Sequence, residues 1–190
     1  MANPLFDRAL PEDLATIRQH IEYKGEIAES NRLVKIVEAE LATVSEDTWP
    51  RGWRAATVDI RLDFAWMDLQ QKIPTVSGRV SAAIPAVCQR CLEVFDLTLD
   101  VSVDMLLISP NVQNDDFGET ADHEVWDLEE EELRPYDIVE ESLVMAIPLA
   151  PRHESPAACG ALAGEIAESG LKTTRPFADL RSQMEISDKE

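Results

Sequence analysis

Two thiols, Cys88 and Cys91, together with His153 and Cys159 farther along the chain, form its one candidate set for special chemistry. Zinc favours four nitrogen and sulfur ligands in a tetrahedron, and a Cys-x-x-Cys loop offers two thiolates with a suitable bite. His153 and Cys159 would supply the second pair, with a looser spacing than is usual. Four protein ligands leave no position for water, so the set predicts a structural zinc ion and no catalysis. Three other readings compete. Free cysteines often behave as small buried hydrophobes. The pair also has the spacing of a redox couple, although no βαβ pattern surrounds it and it follows a strand rather than opening a helix. The third reading is a motif that once held metal. An odd number of cysteines, two of them very close, fits reduced cytoplasmic thiols better than a disulfide framework.

The elements that must position these groups show in the apolar spacing. Before the loop, Val76, Gly78, Val80, Ala82, Ile84 and Ala86 share one face; after it, Phe95, Leu97, Leu99, Val101, Val103, Met105 and Leu107 do the same. A period of two over that length predicts half-buried antiparallel strands. Val58, Ile60, Leu62, Phe64 and Trp66 predict another strand, and Tyr23 to Ile27 a short first one. Leu14, Ile17, Arg18 and Ile21 predict a first helix opening at Pro11. Asn31 to Leu41 and the segment after Pro135 predict two more, the latter with Asp137 as N-cap and Glu140 as its capping-box partner. That last helix ends at Pro148 and Pro151, just before His153.

Charge narrows the choice of partner. The net charge is -20, from 37 acids against 17 bases. Nucleic-acid affinity rests on cations that neutralise phosphates, so a basic protein is the better match. From Asn114 to Glu141 there are 13 acids and one base, Arg134. Trp126 and Glu129, Glu130, Glu131 and Glu132 within it suit a basic, partly apolar groove, although most such runs are solvated loops. Trp49 and Trp53 stand in a Pro- and Gly-containing loop, where they either cap the core or face a partner. Near the end of the chain, Phe177 and Leu180 share the face of a short helix that either docks on the body or anchors a partner. Arg90 braces an acidic neighbour or touches RNA. The start of the chain shows no secretory signal and no window suits a membrane span, so a cytoplasmic location is expected. There is no glycine-rich phosphate loop and no Ser/His/Asp spacing.

The run Cys88-Gln89-Arg90-Cys91-Leu92-Glu93-Val94-Phe95 resembles the CxRC(L)xxF signature of the bacterial YceD family, the large ribosomal RNA subunit accumulation proteins. Three further features are similar: Tyr23-x-Gly25 after a first helix, the acidic stretch leading into Asp137 to Pro148, and the ending Pro176-Phe177-Ala178-x-Leu180. The resemblance implies a cytoplasmic, non-enzymatic factor for accumulation or processing of large-subunit (23S) ribosomal RNA. Some members carry a Cys-rich C-terminal segment able to complete a metal site with the CxRC pair; this chain has His153 and Cys159 there instead.

The expected fold is α+β: an antiparallel, barrel-like or open sheet with flanking helices, an acidic insertion at about 111–134, and a short C-terminal helix. Residues 1–160 are expected to form one domain, followed by a linker and short helix over 161–190. The expected role is an acidic adaptor for a basic ribosomal protein or rRNA-processing enzyme, with RNA contacted indirectly. The alternatives are a CxxC thiol oxidoreductase or zinc-dependent enzyme, and a direct RNA-binding module.

Overall fold

A computed structural model describes residues 3–67, 73–110 and 124–160. Its elements run α1 (Pro11–Thr16), β1 (His20–Glu26), α2 (Asn31–Leu41), β2 (Thr57–Trp66), β3 (Pro74–Val87), β4 (Val94–Ile108), β5 (Glu124–Asp127) and α3 (Pro135–Ala146). The chain packs as two compact units, Met1–Arg152 and His153–Glu190. All eight elements belong to the first.

The five strands form one sheet in sequence order, β1 to β5. The first four pair antiparallel, with Ile60 opposite both Tyr23 and Val80, and Val80 opposite Val101. Period-two alternation therefore puts Ile21, Ile60, Leu62, Phe64, Val76, Val80, Leu99 and Val103 into one core with Leu14, Leu33, Val37, Leu41, Ile138, Val139 and Leu143 from the helices. The other face stays wet, because cross-strand polar pairs satisfy one another there. His20 meets Asp63 at 2.7 Å and Lys24 meets Asp59 at 2.8 Å. Arg79 grips Asp100 with two nitrogens, which holds that carboxyl below its ordinary pKa.

Several expectations need correction. The sheet is neither barrel-like nor wholly antiparallel. It is open, and β5 pairs parallel with β4, Leu106 opposite Val125 and Leu107 opposite Trp126. Closure needs the two edge strands to pair with each other, and here the edges are a seven-residue β1 and a four-residue β5. Of the expected acidic insertion, 111–123 lies outside the described residues and 124–127 is this fifth strand. The first helix stops at Thr16, with Arg18 turning the chain at φ 49°, so Ile17 is exposed and Ile21 enters the core from β1. The predicted span Asn31–Leu41 is observed as α2.

Asp137 does not cap α3. Its N-cap is Arg134, followed by Pro135 at the first helical position, whose missing N–H is no loss there. Asp137 instead binds the Arg134 side chain, which pushes that guanidinium's pKa further up. Glu140 turns to the neighbouring helix: Ser30 Oγ donates to it at 2.5 Å and the Arg32 amide at 3.4 Å. Ser30, the α2 N-cap, accepts from the Leu33 amide at 3.2 Å. One carboxylate on α3 thus satisfies the start of α2.

Candidate metal centre and partner surface

The Cys-x-x-Cys loop is the reversal between the two longest strands. Its base is closed by the Cys88 amide donating to the Glu93 carbonyl at 2.9 Å and the Leu92 amide donating to the Cys88 carbonyl at 2.8 Å. Within this reversal Leu92 adopts the left-handed conformation, at φ 61°. Beside it, the Gln89 amide donates to the Pro151 carbonyl at 2.8 Å. Pro151 follows the Pro148 that ends the run after α3, so the helix exit is fastened to the loop two residues before His153.

Farther on, Ser155 caps a single 3-10 turn, Pro156–Ala158, by accepting from the Ala157 amide at 3.2 Å. That turn leaves Cys159 Sγ 3.6 Å from His153 Nδ1.

Cys88 and Cys91 stand in the first unit and His153 and Cys159 in the second, so each unit offers two of the four donors that a tetrahedral zinc needs. Cys88 and Cys159 are fully buried, and Cys91 and His153 are half-buried. Zinc–sulfur bonds of about 2.3 Å put tetrahedral sulfurs about 3.8 Å apart. The 3.6 Å between Cys159 Sγ and His153 Nδ1 suits two donors on one ion. Donor number, softness and spacing all fit zinc. With four protein ligands the centre would be closed and structural. Cys88 is poorly disposed for thiol exchange, which needs access to the sulfur.

The expected partner surface is placed only in part. Glu129, Glu130, Glu131 and Glu132 are all exposed, and Glu130 pairs with Arg8 from the start of the chain. Trp126 is half-buried and packs against the core from β5. With Leu128 and Ile138 it lines an open cleft of about 260 Å³ whose rim carries Asp127, Glu129 and Glu132 beyond the paired Arg8–Glu130 and Arg134–Asp137. Arg90 is half-buried in the metal loop. Phe177 and Leu180 lie outside the described residues. Trp53 is buried, with Arg54 stacked 4.9 Å from its ring centre, and Trp49 packs half-buried on the core, so that loop caps the core. No helix among the described residues is long and apolar enough to cross a membrane.

Sequence reasoning missed β5, the Glu140–Ser30 link and the strained Leu92. Only β5 carried a signal, the adjacent Val125 and Trp126 amid acids.

The sequence profile of one family, described as "Large ribosomal RNA subunit accumulation protein YceD", matches residues 76–182. A Haemophilus influenzae protein with the same description is 26% identical over 170 residues, covering 86% of this chain and 87% of the relative. No solved structure matches the chain.

Proposed function

Because the chain belongs to the YceD family, we propose that it supports accumulation of large-subunit ribosomal RNA as an acidic adaptor that holds a basic protein. The relative's description names RNA accumulation and no reaction, which supports a non-enzymatic factor acting where ribosomes are built. The observation that carries the adaptor reading is the charge of -20. A surface of that sign repels a phosphate backbone and attracts the lysine- and arginine-rich proteins that coat it. The cleft beside Trp126 supplies what a charged loop alone lacks. Its apolar floor suits the aliphatic stem of a lysine or arginine, and its carboxylate rim suits the cationic head.

Zinc at Cys88, Cys91, His153 and Cys159 completes this reading as a structural staple. When bound it would contribute rigidity and no Lewis-acid chemistry, and these residues would hold it. Metal analysis of the purified chain checks this, with one zinc per chain expected.

The functional test is genetic and biochemical together. Deleting the gene should lower mature 23S relative to 16S RNA. Wild-type protein should restore the ratio, and a chain with Glu129, Glu130, Glu131 and Glu132 changed to lysine should not. Capture of tagged protein before and after RNase separates the readings. Basic proteins retained after RNase support the adaptor, whereas partners lost with the RNA would mean direct RNA binding and overturn it.

A further inference from the structure

The metal loop holds one residue whose type its own backbone does not favour. Leu92 sits at φ 61°, where a β-carbon crowds the chain and glycine does not. The tight reversal explains the backbone conformation. It does not explain the leucine, because the side chain is 66% exposed and gains little from the core. An exposed leucine on its own needs no account. A strained and exposed one does, since strain that serves nothing inside the fold points to use outside it.

Leu92 stands at an open groove of about 520 Å³ lined also by Val44, Ser45, Thr48, Glu93 and Val94. Val44 and Val94 are half-buried, so the groove offers apolar surface beside the loop. Its charge selects the occupant. Glu93 is part of the lining, and Glu46 and Asp47 are exposed in the 3-10 turn between the lining residues Ser45 and Thr48. We propose that Leu92, Val44 and Val94 form a docking surface for a basic protein, which packs an aliphatic or aromatic side chain against Leu92 and sets a lysine or arginine against Glu93. RNA offers the wrong charge for that rim. The adaptor reading supplies the setting of this surface, and the surface gives the adaptor a second contact, distinct from the Trp126 cleft.

The test uses opposite responses of one variant. Leu92→Gly removes the strain, so its melting midpoint should rise by about 3 °C, while its retention of partner should fall at least about tenfold. Leu92→Met should keep the partner. For contact itself, a photo-reactive benzoylphenylalanine replaces Ser45, an exposed lining residue, in the full chain, expressed in its own cells. The expected product is an RNase-resistant adduct with a protein of net positive charge, absent when Leu92→Gly is added. An RNase-sensitive adduct, an adduct with a second copy, no adduct, or one indifferent to residue 92 would each overturn the proposal. Normal 23S RNA in the deletion strain alongside a persistent Leu92-dependent adduct would sink the ribosomal reading and leave this surface standing.

Discussion

Tyr136 packs against Phe6 with ring centres 4.9 Å apart, and Phe6 meets Tyr23 edge-on at 5.5 Å. Burial pushes the Tyr136 phenol up to about 12, with Glu140 adding to the rise and a hydrogen bond to Ser30 opposing it. Desolvation and a bond to Glu29 also raise Tyr23. The unfolded chain ionises its tyrosines near 10, so the folded state binds more protons above that pH. Stability from Tyr136 is therefore complete below pH 10 and is lost as pH climbs through 12. Tyrosinate absorbance should stay low past pH 10 in the folded protein and appear together with unfolding; early titration of both rings would contradict this. The cysteines permit a second prediction. Cys159→Ser or Cys88→Ser should abolish zinc binding at low micromolar metal and remove the chelator sensitivity of the melting midpoint. An unchanged zinc content in either variant would exclude the four-donor centre. These four side chains were legible in the sequence as a candidate set because metal chemistry restricts residue types and spacing. Leu92 was not, because backbone φ leaves no mark on a side chain of ordinary type.

Strands were legible for a similar reason: alternation over ten or more residues has one simple solution, and β2, β3 and β4 all show it. Helix α2 was less plain, because Val37, Ala39 and Leu41 in its last turn also alternate. What the sequence hid were features that depend on partners distant in the chain. β5 has only four residues and pairs with β4 in parallel, and Val125-Trp126 among acids reads as readily as a loop. Glu140 has the spacing of a local capping box, yet it serves Ser30, 110 residues away. Glu140→Ala should therefore destabilise the protein by about 1–2 kcal/mol, and hydrogen exchange should quicken first in the opening turn of α2 rather than α3. Faster exchange in α3 alone would restore the local reading. Gly78 looks like a weak point in the β3 alternation, but it is a place of close approach. A β-carbon there would overlap the Arg61 carbonyl on β2. Gly78→Ala should cost about 3 kcal/mol in urea unfolding, although alanine is otherwise the gentlest substitution.

At the scale of the whole chain, part of the small complement of cations is already engaged. Arg8, Lys24, Arg32, Arg54, Arg61, Arg79 and Arg134, seven of the 17 bases, are ion-paired with acids among the described residues. Each such pair neutralises one acid and leaves the remaining excess unopposed, so the field around the protein is set by unpaired carboxylates. Two salt responses of opposite sign follow. Screening weakens the repulsion among carboxylates that compaction brings together, so the melting midpoint should rise by a few degrees between about 0.02 M and 0.3 M monovalent salt. The same screening should weaken capture of a basic partner, mostly by slowing association. Exposed ion pairs contribute little individually, which is why repulsion decides the first response. A midpoint that falls with salt would mean that the paired face of the sheet outweighs the net charge. The adaptor reading stands on the second response, and capture of a basic partner that is indifferent to salt would remove the long-range attraction on which it depends.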